Sequence, residues 1–568
     1  MIRRFRIYLI FALALAPTLA LVPPARAEQL SGAYLAARQA SFYSDFKPAA
    51  QYYSLALTHD PANPEFLESA LTAFIGLGDF ESALPLAQKI RDEGIESQIA
   101  NMVLITENVR NGEFDAVIED TEGWYSVGPL VDGLVLAWAR VGQGRLSEAL
   151  DAFDSVAQES GTRAFGLYHK ALALALVGDF EGADRILSGE EDGPLRATRN
   201  GIITHAQVLS QLERNDDAIE LLDGIFGADP DPEIQTIRAA LAAGETLPFS
   251  LIDSAVDGFG EVFYTVANVL NGEASTPYTL IYSRMAEFIT PEHVDALLTS
   301  AGLLEELEQY DLATEAYDQV PRSDPSYHIA ELGRAEALRS AGKSDAAIEV
   351  LTQLAESYGN LPVVHSALGD TLRSLERFDE ASKAYDRAIA LFTAPEMSQW
   401  RTYYARGITH EREGRWQQSE VDLRRALELS PGQPFVLNYL GYSLVEQQTK
   451  LDEALAMIEE AVAARPDDGY ITDSLGWVQY RLGRYEEAII QMERAAELSP
   501  VDPIISDHLG DVLWAVGRKR EAEFQWRRAM SFEPEEVDAR RIQRKLEVGL
   551  DAVLAEEGAE PLKVANDH

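Results

Sequence analysis

The densest set of side chains able to do chemistry is Asp507, His508 and Asp511, joined by Asp473, which holds the place of Asp507 one 34-residue period earlier. Carboxylates and an imidazole at this spacing can hold a hard cation or pass protons. In a chain with 93 acidic residues, an acidic helix face also arises by chance, so no metal is assigned to the set. The nine histidines are otherwise scattered, and the absence of cysteine removes thiolate catalysis and cysteine-based zinc sites. Gly258-Phe259-Gly260 is too short to count as a nucleotide fingerprint and reads as a turn before a helix. With no phosphate loop, no HExxH and no triad set by the periodicity, no catalytic residue and no cofactor are assigned.

Lys and Arg number 48 against 93 Asp and Glu, a net charge of -45, which argues against nucleic acid or an anionic lipid surface as partner. Arg3, Arg4 and Arg6 precede an apolar run from Ile7 to Val22, and Ala25-Arg26-Ala27 then places small residues where a signal peptidase cuts. Residues 1–27 are therefore expected to be a signal peptide cleaved after Ala27, which makes the chain periplasmic. The apolar run is short for a membrane span and contains Pro17, and no later stretch is long and apolar enough to cross a bilayer, so no stable membrane insertion is expected after cleavage. No cysteine stands at the cleavage site to accept a lipid.

The element that positions the acidic set is a unit written twice between Asp467 and Pro534. Gly476 and Gly510, Ala488 and Ala522, Met492 and Trp526, Ala495 and Ala529, and Pro500 and Pro534 each stand 34 residues apart. Small residues twelve apart mark where two antiparallel helices cross most closely. Such pairs recur along the chain from Ala37/Ala49 to Gly510/Ala522 and, with Leu71/Ala83 and Ile105/Val117 less orthodox in size and Gly441/Ala454 one residue wider, define thirteen repeats. Glycine seven residues after the first member, as at Gly78, Gly144, Gly342 and Gly517, ends the first helix, and prolines such as Pro466 and Pro500 stop the second. This grammar resembles the tetratricopeptide repeat. The resemblance implies an all-α, right-handed superhelical solenoid of helix hairpins, with about thirteen recognisable repeats plus one degenerate pair.

The register divides the chain into residues 28–231, an N-terminal array; 232–290, an irregular helical joint; 291–534, a C-terminal array; 535–557, a capping helix; and 558–568, a disordered tail. Within the joint, EVFYTVANVL and PYTLIYSRMAEFI read as two amphipathic helices around Asn271-Gly272, the degenerate pair.

In the tetratricopeptide fold, the first helix of each repeat lines the concave groove. Carried onto this sequence, the groove positions include Tyr404, Phe435, Asn438, Tyr442, Asp473, Trp477, Tyr480, Arg481, Asp507, Asp511 and Trp514. Rings interleaved with amides and carboxylates suit an extended peptide; the alternative is that Trp477 and Trp514 wedge between repeats. Aspartates here would repel a C-terminal carboxylate, so a basic or neutral segment fits better than the ligand of a carboxylate clamp. The stretch ITDSLGWVQYRLGRYEEA with DHLGDVLWAVGRKREAEFQWRRA also resembles envelope tetratricopeptide adaptors and scaffolds, some of which serve processing proteases or envelope assembly. The expected function is a non-enzymatic periplasmic scaffold or adaptor binding envelope proteins or peptides. A self-associating architectural solenoid, or an enzyme using Asp253, Asp257 or Glu261 in 232–290, are the alternatives. Oligomeric state is left open.

Overall fold

The computed structural model describes residues 26–123, 126–190, 193, 198–227, 232–559 and 562, so most of the expected signal peptide and tail lie outside the described residues. Among those described, 31 α-helices and one 3-10 turn, and no strand, make up the regular structure. Contacts divide the chain into two compact units, Met1–Val350 and Leu351–His568, whereas the sequence placed its joint at 232–290.

In the first unit the expected hairpins are α1 (Arg26–Phe42) with α2 (Phe46–Leu57), α3 (Pro64–Leu77) with α4 (Phe80–Asp92), α5 (Gln98–Arg110) with α6 (Phe114–Glu122), and α7 (Pro129–Gly142) with α8 (Leu146–Gln158). Next come α9 (Arg163–Leu176) with α10 (Phe180–Leu187), α11 (Arg199–Gln211) with α12 (Asn215–Phe226), and a single helix, α13 (Pro232–Ala242). The pair α14 (Ala255–Leu270) and α15 (Thr276–Ile289) follows, then α16 (Val294–Glu306), α17 (Tyr310–Asp318) and α18 (Tyr327–Ser340). Helix α19 (Ser344–Ser357) contains the boundary.

The second unit holds α20 (Pro362–Ser374) with α21 (Phe378–Ala390), α22 (Trp400–Arg412) with α23 (Trp416–Leu429), and α24 (Pro434–Glu446) with α25 (Leu451–Ala464). It ends in α26 (Gly469–Arg481) with α27 (Tyr485–Leu498), α28 (Pro503–Ala515) with α29 (Lys519–Met530), then α30 (Glu536–Val548) and α31 (Leu550–Glu556).

Each of the thirteen repeats falls on two consecutive helices, and one backbone position explains the sharp turn between them. Seven residues after the crossing residue, the chain always enters the left-handed region. Glycine occupies the place eight times, with φ from 71° at Gly112 to 86° at Gly178. Ser44, Glu213, Glu308, Glu376 and Gln448 occupy it in the other five, at φ between 52° and 60°. The turn is thus a property of the repeat, and glycine is its least strained occupant.

The crossing itself is also sharper than the small-to-small rule. A Cβ on Gly510 would lie 2.4 Å from the Trp526 ring, one on Gly369 2.6 Å from Tyr385, and one on Gly476 2.9 Å from Met492. Glycine in the first helix makes room for the large residue sixteen positions on, and the small residue at twelve lets the backbones approach.

The two helices expected within 232–290 are α14 and α15. Ser254 and Asp257 form a capping box that starts α14, and a proline in the first turn starts α15. The pair packs on α16, as the second helix of a repeat packs on the first helix of the next, and it also reaches back over the preceding hairpins. It lies across the first helices of the preceding hairpins, α14 on α7, α9 and α5, and α15 on α5 and α3. Gly258 sits where a Cβ would be 2.4 Å from the Trp138 ring, and Gly260 where it would be 2.7 Å from Thr290 Oγ1. These glycines are therefore inside α14 and serve close packing, not a turn before a helix as the sequence suggested. Phe259, Val262, Phe263, Ile281, Met285 and Ile289 are all buried in the core shared with α3 to α9. Burial of this kind stabilises by about 1.5–3 kcal/mol for each large side chain, so the pair is held by something of the order of 10 kcal/mol.

Candidate peptide-binding face

In the second unit, side-chain caps fix the start of α24, α26 and α28. The Gln433 side chain accepts from the Phe435 amide at 3.3 Å, Asp468 from the amides of Tyr470 at 3.1 Å and Ile471 at 3.2 Å, and Asp502 from Ile505 at 2.9 Å. Proline at Pro362, Pro434 and Pro503 presets the first turn. The second residue of each first helix then points away from the hairpin. Val363 is 51% exposed, Phe435 42%, Tyr470 62% and Ile504 37%, with exposed Arg401 at the same place in α22. Four apolar side chains and one cation at one repeat position form a row that no core requires.

The row is polar at its flanks. The Arg465 guanidinium lies 4.9 Å from the Phe435 ring centroid and Arg401 lies 5.2 Å from that of Trp400. The Asp502 carboxylate beside Tyr470, then burial, holds that phenol above its ordinary value.

The eleven residues expected in the groove separate into two groups. Phe435 is exposed, and Tyr404, Asn438, Tyr442, Arg481 and Trp514 are half-buried. The Asn438 Oδ1 atom is buried without a protein hydrogen-bond partner. Asp473, Trp477, Tyr480, Asp507 and Asp511 are buried, which removes them from any contact surface and corrects their expected place on it. The physical reason is that neighbouring first helices close over them. Trp477 donates from Nε1 to Glu446 Oε1 at 2.8 Å, stacks on Tyr480 at 4.9 Å and on His508 at 4.0 Å between ring centroids. It is a wedge joining α24, α26 and α28. Trp514 wedges likewise, donating to Asp551 Oδ2 at 3.0 Å.

The acidic set is divided among three basic partners, His508, Lys545 and Arg541. Asp473 Oδ2 lies 2.9 Å from His508 Nδ1. Asp507 and Asp511 meet the Lys545 ammonium of α30 at 2.8 Å and 2.6 Å, and Arg541 adds a contact to Asp511 at 3.5 Å. Burial raises the Asp507 carboxyl above its ordinary value, and Lys545 opposes that shift. For His508, burial acts downward but the carboxylates of Asp473, Asp507 and Asp511 prevail, leaving it raised. These residues bolt α26, α28 and α30 together. The cap that carries Lys545 was expected to be one helix, but it breaks at Gly549 (φ 82°), which lies against Trp514. Lys545 was missed because nothing in a charged terminal helix distinguishes a lysine that will be buried from one that stays in water.

In the first unit, Glu261 receives the Tyr168 hydroxyl at 2.9 Å and stands 3.2 Å from His293 Nε2. The histidine that segment 232–290 lacks in sequence is thus supplied from the next helix. Glu261 is 2% exposed, so the arrangement pins helices together and opens to no substrate.

The tetratricopeptide repeat family matches residues 291–362, 366–434 and 440–503. Residues 291–503 carry tetratricopeptide repeats. Over 194 residues the chain is 29% identical to a TPR repeat-containing protein of Pseudomonas aeruginosa, a match covering 34% of this chain. The match spans 32% of that protein's own length. Among solved structures, the chain is similar to the APC/C hetero-tetramer Cut9-Hcn1 (14% identical, TM-score 0.39, covering 92% of this chain and 96% of that one). It is also similar to yeast Tom70 (13%, TM-score 0.34, 94% and 99%) and to YrrB, described as a TPR protein with an unusual peptide-binding site (19%, TM-score 0.28, 35% and 99%).

Proposed function

We propose that this chain is a periplasmic TPR scaffold or adaptor that binds protein or peptide segments of the cell envelope along the first-helix face of residues 351–568, and that it serves envelope proteolysis or assembly without catalysing a reaction itself. The observation that carries the reading is the row Val363, Arg401, Phe435, Tyr470 and Ile504, repeated at one helix position and spared by the core. Apolar side chains held on capped helices lose little freedom on binding, and this favours a docked segment. With 93 acidic against 48 basic residues, the favoured segment is basic or neutral.

Capture with cross-linking from envelope extract should retrieve distinct proteins. Phe435→Ala with Tyr470→Ala should weaken capture by roughly tenfold or more, a loss of about 1.4 kcal/mol, while circular dichroism stays unchanged. Unchanged capture would reject the assigned face, and cross-links between copies of this chain alone would support an architectural role. Turnover of any envelope substrate by the purified protein would overturn the non-catalytic reading. Export is tested separately by fusing residues 1–27 to a reporter that folds only outside the cytoplasm; a silent reporter would reject the periplasmic assignment.

A further inference from the structure

We propose that α14–α15 is a resident ligand of the N-terminal repeats, a permanent occupant of the face on which a client would lie, so that external segments bind residues 351–568 and not the first-helix face of α3, α5, α7 and α9. The partner assignment for 351–568 rests on the function proposed above; the occupancy of the N-terminal face does not.

Three observations carry the inference. The hairpin packs on the first helices of the preceding hairpins, the side a TPR array offers to a ligand, while its second helix also packs on α16. Its contacts have the character of a core. Phe259 stacks on Phe114, with centroids 6.2 Å apart, and Phe288 packs at 4.7 Å from Phe80. Polar pins fix its register at both ends: Tyr168 donates to Glu261 at 2.9 Å, and Gln98 Nε2 donates to the Tyr282 hydroxyl at 3.2 Å. Moving the hairpin would separate Tyr168 from the buried Glu261 carboxylate and Gln98 from the buried Tyr282 hydroxyl. A lid held by a few contacts could exchange with a client, whereas displacing this hairpin would expose six large apolar side chains and break both pins at once.

Hydrogen exchange on the intact protein gives the first test: amides of residues 255–289 should be protected within roughly tenfold of those in α5 and α7. Protection lower by several orders of magnitude would mean a lid and would overturn the proposal. A second test inserts a protease site after the exposed Thr246, before α14. After cleavage, the two pieces should co-elute as one species without denaturant, and their separation would overturn permanence. Segments captured from envelope extract should cross-link to residues 351–568 only; cross-links to α3, α5, α7 or α9 would overturn the confinement. If the hairpin is protected and the cleaved pieces stay together while nothing is captured at all, the binding function fails and the resident hairpin stands.

Discussion

At the scale of single residues, Trp477 and His508, which look functional in sequence, and Lys545, which does not, hold the C-terminal helices together. Trp477→Ala should cost about 3–5 kcal/mol in urea unfolding, because it removes a buried aromatic wedge. A binding test through Trp477 would therefore report on folding, so Phe435 and Tyr470 are the informative positions. His508 gives a pH prediction with a definite sign. Its folded value is raised above the ordinary 6.5, mainly by Asp473 against the opposing effect of burial. The protonated pair therefore contributes stability fully below the unfolded histidine value, and that contribution is lost as pH rises through the raised folded value. His508→Gln should accordingly destabilise most in mildly acidic buffer and progressively less at higher pH, measured by urea midpoints across pH. An equal loss at every pH would show that packing, not charge, is what His508 provides. His169 has the opposite sign: burial holds it down to about 3, so charging it on unfolding favours the unfolded state as pH falls below 6.5. Lys545→Ala takes the buried ammonium from Asp507 and Asp511, and should cost about 3–5 kcal/mol at neutral pH in the same assay.

At the scale of elements, the hairpin turn is the recurring device, and five of its thirteen copies place a side chain in the left-handed region. A non-glycine residue there costs roughly 1–2 kcal/mol, part of which glycine returns through its freer unfolded chain. Glu376→Gly, and independently Glu308→Gly, should therefore stabilise by about 0.5–1 kcal/mol, read as a higher thermal midpoint. No gain at either position would mean that those glutamates make compensating contacts. The same economy runs through the crossings, where Gly510 and Trp526, or Gly369 and Tyr385, exchange volume between facing helices. The repeat is conserved in geometry along the chain by trading one residue's size against another's, not by keeping either fixed.

For the whole molecule, two compact units meet at Val350 and Leu351, and repeat arrays owe their stability to nearest-neighbour contacts. A lesion should therefore act on its own unit. Phe263→Ala, in the core shared by α14 and α7, should lower hydrogen-exchange protection across α3 to α9 by an amount matching about 3–5 kcal/mol and leave α24 to α28 unchanged. Lys545→Ala should do the reverse. Loss of protection in both units from either change would show that they unfold as one.

The sequence by itself determined the helix hairpins, their turns and their number, because crossing distance, left-handed caps and proline stops are local rules that each repeat states again. It also placed Asp473, Trp477 and Asp507 on the first helices, but assigned them to the groove. Tertiary structure alone decided which of those positions meet solvent. Asp507 and Tyr470 both lie on first helices and look equally available in the chain, yet Asp507 is buried against Lys545 and Tyr470 stays 62% exposed. It likewise decided that α14–α15, amphipathic and legible as a hairpin, lies across the N-terminal repeats. Periodicity records that a helix has an apolar face, but the surface that buries that face is chosen by contacts between residues far apart in the chain, and no local spacing encodes it.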